Sequence, residues 1–176
     1  MAKKRKFCAY RALERPYTRF SKFKKMSFVK AKPVCRIVRF NMGPATKKFK
    51  FKLSLLSKGS LHIRDNAIES ARLTSNRVLE AALGKSGFRM AILPYPHHIL
   101  RENPLAAGAG ADRMSTGMKC SFGKTIGVAA RVKQGQALFT LEVNKSGLEL
   151  AKKALKRAST KLPGSYIIDI KENPAS

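Results

Sequence analysis

The strongest constraint on how this chain folds is its uneven positive charge. Residues 1–64 contain 20 lysines and arginines and one acid, Glu14, whereas residues 65–176 contain 17 cations and nine acids. The net charge is +27 over 176 residues. Repulsion at this density destabilises a free compact monomer and favours a polyanionic partner. Hydrophobic residues still make up 44% of the chain, so we expect a folded domain with a polyanion-binding side.

Nucleic acid is a better candidate polyanion than an anionic membrane. The sequence has no apolar run near the roughly 18 residues that span a bilayer. The basic N-terminus is not followed by the apolar segment of a signal peptide. We therefore expect an intracellular, cytoplasmic protein that has no membrane partner.

Cysteine and histidine spacing argues against a metal site. Cys8, Cys35 and Cys120 are widely separated and form no C-x-x-C pair, so reduced thiols are expected. His97 and His98 are adjacent and would point to opposite sides of a strand. We predict no metal and no other cofactor.

Residues 1–33 are predicted to form a basic N-terminal arm. Lys3-Lys4-Arg5-Lys6 opens it, and a second lysine-rich stretch runs from Lys22 to Lys32. Aromatic residues lie among these cations: Phe7, Tyr10, Tyr17, Phe20, Phe23 and Phe28. Such aromatics either stack on RNA bases or pack against the folded domain, and we favour packing.

Residues 34–172 are predicted to form a single α+β domain, followed by a short tail at 173–176. The clearest strand is Lys50–Leu56, where apolar and polar residues alternate. Other predicted strands are Val34–Phe40, Leu61–Ile63, Phe88–Leu93, His97–Leu100, Ile126–Val132, Ala137–Val143 and Tyr166–Ile170. A turn is expected at Asn41–Pro44, and Gln134-Gly135 indicates a hairpin between the strands on either side.

Two amphipathic helices complete the predicted domain. Asp65 is expected to cap the first helix, which runs to about Leu83 and stops at Gly84. Its apolar stripe is Ile68, Ala71, Ser75, Leu79 and Ala82. A capping box of Ser146 and Glu149 should begin the second helix. Its apolar stripe is Leu150, Ala151, Ala154, Leu155 and Ala158, opposite Lys152, Lys153, Lys156 and Arg157. The pattern predicts a layered α+β domain with a mostly antiparallel sheet of six or seven strands.

The run from Leu105 to Gly127 interrupts this pattern. Its first half has almost no side-chain bulk, so residues 103–116 are expected to form a long mobile loop. Its second half repeats an apolar residue every fourth position, which predicts a short helix docked on the core: Met114, Met118, Phe122 and Ile126. Basic residues within the run suit close approach to a polyanion.

Two nucleotide-binding motifs are nearly present in this run and fail on spacing. A phosphate-binding loop needs four residues between its glycines, but five separate Gly117 from Gly123. Residues from Ile126 onward also resemble a strand rather than the required helix. The dinucleotide fingerprint that begins Gly108-Ala109-Gly110 has Arg113 in place of its third glycine.

Several blocks of the chain closely resemble one protein family. It is the universal large-subunit ribosomal protein called L-sixteen in bacteria and L-ten-e in archaea, in its archaeal and eukaryotic branch and at archaeal-type length. The central blocks are Gly108-Ala-Gly-Ala-Asp-Arg113, Thr116-Gly117-Met118, Phe122-Gly123-Lys124 and Val128-Ala-Ala-Arg131-Val132. The flanking blocks are Arg15-Pro16-Tyr17-Thr18-Arg19, Ser70-Ala-Arg72-Leu-Thr-Ser-Asn76-Arg77 and Pro96-His97-His98-Ile99-Leu100-Arg101-Glu102-Asn103. The resemblance covers roughly residues 10–170.

The resemblance implies an α/β-hammerhead-like core seated on 23S-type rRNA beside the tRNA cleft. It implies that the loop points toward tRNA acceptor ends near the peptidyl transferase centre, and that neighbouring ribosomal proteins are further partners. The expected rRNA-binding residues are Lys3, Lys4, Arg5, Lys6, Arg11, Arg15, Arg19, Lys22, Lys24, Lys25, Arg36, Arg72, Lys119, Lys124 and Arg131. The expected tRNA-proximal residues are Arg101, Asn103, Gly108, Gly110, Asp112 and Arg113.

The chain departs from the family in its first 60 residues. Residues 22–30 are more basic than the usual linker, and residues 45–58 contain no acid. We therefore expect the arm to contact more rRNA than is usual in the family.

We predict a structural rRNA-binding protein of the large ribosomal subunit that is neither an enzyme nor a homo-oligomer. The alternative is a nucleotide-binding or RNA-modifying enzyme that uses the Gly/Lys segment at residues 117–125. A third possibility is a protein that compacts DNA.

Overall fold

A computed structural model describes residues 5–14, 17–18, 22–27, 29, 32–102 and 123–173. Two helices, α1 (Asp65–Leu83) and α2 (Leu148–Ser159), combine with eight strands. The strands are β1 (Asn41–Met42), β2 (Phe51–Ser57), β3 (Leu61–Arg64), β4 (Phe88–Ile92), β5 (His98–Glu102), β6 (Lys124–Val132), β7 (Ala137–Val143) and β8 (Tyr166–Glu172). Every strand pairing among the described residues is antiparallel. The α+β prediction is confirmed.

The main layer is a five-stranded sheet in the order β1-β4-β7-β2-β8. The alternation in β2 buries Leu53 and Leu55 completely, and β7 contributes Phe139 and Leu141 in the same way. Helix α2 packs against β2, β7 and β8 through its apolar stripe, and α1 packs against α2. One continuous core therefore joins the large sheet to both helices.

A smaller sheet has the order β3-β6-β5, with α1 packed against β3 and β6. The predicted hairpin around Gln134-Gly135 is wrong, because β6 and β7 belong to different sheets. The backbone N–H of Gly135 donates to the carbonyl of Ser57, and the N–H of Ser57 donates to that of Gln136. Gly135 adopts a φ of 76°, which glycine tolerates in a corner as readily as in a hairpin. Gly135 correctly indicated a turn of the chain. The turn connects the small sheet to the large sheet instead of joining two strands of one hairpin.

The predicted strand at Val34–Phe40 is also wrong. Its backbone N–H groups at Arg36 and Val38 donate to the carboxylates of Asp65 and Glu69, at 3.1 and 3.3 Å. Since these two acids lie four residues apart, one face of α1 presents both to the passing backbone. The segment runs along the start of α1, and it reaches the large sheet at its last residue, where the carbonyl of Phe40 accepts the N–H of Ile92 at 2.8 Å.

A short strand replaces part of the predicted turn at Asn41–Pro44. Asn41 and Met42 pair with Ala91 and Met90 of β4. The chain turns at Gly43, whose φ is 90° and where an added Cβ would lie 2.0 Å from the carbonyl oxygen of Phe88. The turn therefore begins after the strand.

Both predicted helix caps differ from the structure. Asp65 is the first residue of α1, and its carboxylate accepts the N–H groups of Arg36 and Asn66. Helix α2 follows a single 3₁₀ turn and has no side-chain cap, and Glu149 pairs instead with Lys152 at 2.9 Å. Gly84 ends α1 as predicted.

The predicted apolar stripes are buried apart from one residue on each helix. Ala82 of α1 is exposed, and the following residue, Leu83, packs against the core. Leu150 of α2 is only half-buried.

Candidate nucleic-acid interface

The N-terminal arm is attached to both outer edges of the three-stranded sheet. Because β6 is central, β3 and β5 each have one edge that no other strand of the sheet covers. The backbone N–H of His62 in β3 donates to the carbonyl of Arg11 at 3.2 Å, and that of Ile99 in β5 donates to the carbonyl of Tyr17 at 3.0 Å. The arm thus supplies acceptors to backbone groups that an open sheet edge leaves unpaired.

Two tyrosines of the arm pack against arginines of the same sheet. The guanidinium carbon of Arg64 lies 4.5 Å from the ring centre of Tyr10, and that of Arg101 lies 3.7 Å from the ring centre of Tyr17. Such cation–π contacts favour a fixed position for the arm. Burial, followed by the nearby carboxylate of Glu102, raises the pKa of Tyr10. The prediction that arm aromatics pack against the domain is confirmed for these two tyrosines.

A histidine pair lies next to the docked arm. The rings of His62 and His98 stack with centroids 4.5 Å apart and planes only 4° from parallel. The Nδ1 atom of His98 accepts a hydrogen bond from the backbone N–H of Tyr17 at 3.0 Å, so this nitrogen carries no proton. Burial lowers the pKa of His98 to about 4, and repulsion from Arg131, Arg101 and a protonated His62 acts in the same direction. Burial also lowers the pKa of His62, so both rings favour the neutral form at physiological pH.

Buried nitrogen atoms without a hydrogen-bond partner are concentrated on this sheet. Within the described part of the chain they are Nε2 of His62, Nη2 of Arg64, Nη1 of Arg101 and Nε of Arg131. A buried polar group without a partner costs about 1–3 kcal/mol, and more when it is charged. The cluster carries an excess of positive charge and of donors, and this arrangement suits an anionic ligand.

Most described cations of the predicted interface are exposed. Arg5 is also exposed, but it already has a partner, because it forms a 2.5 Å ion pair with Glu102. The others form no ion pair with another described residue and lie at the surface: Lys6, Arg11, Lys22, Lys24, Lys25, Arg36 and Lys124. Their charges remain available to a polyanion.

Arg72 does not belong with these exposed cations. Its side chain is only 8% exposed and forms a 2.5 Å ion pair with Glu69. The hydrogen bond from Arg72 lowers the pKa of Glu69. Arg72 is therefore poorly placed to bind rRNA phosphate as expected from the sequence, because its guanidinium already has a carboxylate partner inside the domain.

Several predicted site residues lie outside the described residues. In the arm and the second half of the loop they are Lys3, Lys4, Arg15, Arg19 and Lys119. In the predicted tRNA-proximal loop they are Asn103, Gly108, Gly110, Asp112 and Arg113. The predicted helix of Met114, Met118 and Phe122 also falls there. The two ends of this connection are described and adjacent, because Glu102 pairs with Lys124 across β5 and β6.

A second basic surface was not assigned from the sequence. Helix α2 carries Lys152, Lys153, Lys156 and Arg157. A groove of about 580 Å³ between α2 and β8 is lined by the three lysines together with Glu149, Leu150, Ile168 and Ile170. The signal was present, because the four cations form the polar side of an amphipathic helix. Arg64 and His62 were not predicted as site residues, because nothing in the sequence of β3 indicates that the arm lies along this strand.

Comparison with known proteins identifies the family. The model of the ribosomal protein L16p/L10e family matches residues 16–169. The chain belongs to the ribosomal L16p/L10e family.

Archaeal relatives agree with this membership. The large ribosomal subunit protein uL16 of Methanococcus maripaludis is 45% identical over 155 residues, covering 88% of this chain and 86% of the relative. That of Archaeoglobus fulgidus is 42% identical over 154 residues, covering 88% and 85%. That of Methanocella arvoryzae is 39% identical over 160 residues, covering 90% and 93%. The predicted resemblance is confirmed.

Membership in the L16p/L10e family confirms the predicted structural ribosomal role and removes the enzyme alternative. The local structure agrees, because Lys124 and Thr125 already lie in β6. A phosphate-binding loop needs a helix at that point, so that its N-terminal N–H groups face the phosphates.

The described residues also show neither a membrane span nor a metal-binding cluster. None of the described helices has the length and apolar character to cross a bilayer. In the same part of the chain, no three histidine, cysteine or acidic side chains are grouped to hold a metal ion.

Proposed function

We propose that this L16p/L10e protein binds 23S-type rRNA of the large ribosomal subunit through its arm and three-stranded sheet. In this role it acts as a single copy in the cytoplasm, alongside neighbouring ribosomal proteins. Its task is to hold rRNA segments in position, since contacts to phosphates fix register and orientation without reading sequence.

The main support for this proposal is the positive charge of the docked arm. The arm, residues 1–33, contains 12 lysines and arginines against Glu14 alone. Tyr10 and Tyr17 stack on Arg64 and Arg101, so parts of this charged segment are held at defined places on the domain. A fixed row of cations neutralises phosphates at a smaller entropic cost than a free tail does.

Single-residue roles follow from where the cations lie. The exposed arm cations and Lys124 bind phosphates at the surface. Arg131 and Arg101, whose buried nitrogen atoms have no partner, bind RNA acceptors that approach the small sheet. Arg5 keeps its pair with Glu102 and, because its side chain is 60% exposed, offers its remaining N–H groups to phosphate.

The connection between β5 and β6 is the proposed tRNA contact. The resemblance assigns residues 103–116 to the tRNA cleft. Because Glu102 and Lys124 pair directly, removing residues from the connection leaves the two strands joined at the same place. Deletion of Pro104–Asp112 should preserve folding and rRNA affinity and slow peptide synthesis by reconstituted ribosomes. Unfolding of the domain would contradict the placement of this loop outside the core.

Sedimentation of ribosomal particles tests the rRNA proposal. The tagged full chain should remain in the large-subunit peak of a sucrose gradient through a moderate salt wash, and purified rRNA should bind it with an affinity that falls steeply with salt. A protein that compacts DNA would leave the particle under the same wash. Recovery of the chain at the top of the gradient would overturn the proposal.

A further inference from the structure

A cavity of about 790 Å³ lies where the small sheet meets the start of α1. Its apolar lining comes from Leu100 of β5, from Ile126, Gly127 and Val128 of β6, and from Pro33 and Val34 of the segment before β1. Val34 is 88% exposed and Ile126 is 47% exposed, so this apolar surface is open to a ligand. The volume falls within the range of about 300–1,000 Å³ that is usual for small-ligand sites.

The two acids that line the cavity are already occupied. The carboxylate of Asp65 accepts backbone N–H groups from Arg36 and Asn66. The carboxylate of Glu102 accepts hydrogen bonds from side chains of the arm at 2.5 and 3.3 Å. Both are therefore engaged within the protein, and they leave the polar lining short of free acceptors.

Besides these two acids, the charged groups of the lining are the guanidinium groups of Arg5, Arg36 and Arg64, and Asn66 adds an amide that can donate or accept. The Nη2 atom of Arg64 is buried and has no hydrogen-bond partner, and its guanidinium is held against the ring of Tyr10. The side chain of Arg36 is exposed at the same cavity. A suitable ligand therefore combines a flat apolar part with hydrogen-bond acceptors and negative charge.

We propose that this cavity binds one unstacked nucleotide of the rRNA, with its base against the exposed apolar residues Val34 and Ile126 and its phosphate at Arg64 and Arg36. Proteins recognise RNA largely through bases that are turned out of a helix and held against side chains. The inference rests on the proposed rRNA-binding function and adds a single defined nucleotide site to an interface otherwise made of phosphate contacts.

Gly127 offers a way to close the cavity without changing any charge. An added Cβ at Gly127 meets no atom within 4 Å, and its φ lies outside the left-handed range. A leucine there should fill part of the cavity and leave β6 intact. Gly59 provides the matched control, because a Cβ there also meets nothing within 4 Å and Gly59 does not line the cavity.

The test compares full-length wild type, Gly127→Leu and Gly59→Leu in binding to purified large-subunit rRNA, with chemical probing of each nucleotide. We expect Gly127→Leu to bind about tenfold more weakly than Gly59→Leu, as for loss of one stacked base. The slope of affinity against salt should become shallower by at most about 1, because a single phosphate contact is lost with the base. One nucleotide should be protected by wild type and Gly59→Leu and exposed with Gly127→Leu. If Gly127→Leu melts well below wild type, Gly127→Val replaces it, because valine suits a strand.

Equal affinity and an identical protection pattern for the two leucine variants would overturn the nucleotide site and leave the proposed function standing. Failure of wild type to bind rRNA in a salt-dependent way would overturn the proposed function itself, and the nucleotide site with it.

Discussion

The five-stranded sheet and the three-stranded sheet bury different kinds of side chain. The large sheet buries leucine and phenylalanine between itself and the helices, with Leu53, Leu55 and Phe139 fully inaccessible to solvent. The small sheet has one apolar face, which includes Ile63, and an opposite face where it buries histidine and arginine nitrogen atoms without partners. The first sheet stabilises the domain through apolar packing, whereas the second has hydrogen-bonding capacity that no described residue satisfies.

The largest expected effect lies in the large sheet. Phe139→Ala removes a fully buried ring from β7 and should lower the free energy of unfolding by about 3–5 kcal/mol, because the cavity only partly collapses. Ile126→Ala, at a half-exposed position of the small sheet, should cost much less. Urea denaturation of the free protein measures both. Equal losses would mean that the two sheets contribute alike to stability.

Arg72→Met separates an internal cation from an RNA-binding one. Because the pair with Glu69 is largely buried, the variant should lose roughly 3 kcal/mol of folding stability. The rRNA affinity of the folded fraction should not change. Arg77→Met, at an exposed position on the same helix, should stay within about 0.5 kcal/mol of wild type in stability. A stable Arg72→Met protein that binds rRNA poorly would contradict the internal role of Arg72.

The histidine pair predicts a pH dependence that belongs to the small sheet. The pKa of His98 in the folded protein is about 4, below its ordinary value of 6.5. The unfolded chain therefore binds more protons between these values, so stability is lost as the pH falls through this window. We expect a loss of roughly 2 kcal/mol from this group between pH 7 and pH 5.

His98→Gln should remove most of that pH dependence, whereas His97→Gln, at the exposed neighbouring position, should retain it. Urea titrations at the two pH values give the comparison. If the two variants lose equal stability on acidification, the dependence arises elsewhere in the protein.

The sequence predicted the positions of helices and strands better than it predicted which strands pair with one another. Alternation in residues 50–56 and 137–143 reports burial of one side of each strand, and both strands are present. The same pattern does not say which sheet a strand joins, so the glycine at 135 was taken for a hairpin. The segment at 34–40 has strand-like residues, but the carboxylates of α1 take its N–H groups. Such long-range acceptors leave no local signal.

The candidate site divides in the same way. Charge counts predicted the basic side, and the family blocks predicted its partner. Docking of the arm through Tyr10 and Tyr17 depends on pairing with strands more than 45 positions away, which no local pattern encodes. The ion pair between Arg72 and Glu69 could have been predicted from the sequence, since Glu69 lies three residues before Arg72 on a helix.

The most direct test compares equal losses of charge from two surfaces. One variant replaces Lys6, Arg11, Lys22 and Lys24 of the arm with glutamine, and the other replaces Lys153, Lys156 and Arg157 of α2 and Lys161 just after it. All eight side chains are exposed. The quantity measured is the slope of log affinity for rRNA against log salt concentration. We predict that the arm variant makes this slope shallower by about 3, and the α2 variant by less than about 1. An equal or larger change for the α2 variant would contradict the claim that the arm and the small sheet form the RNA-binding side.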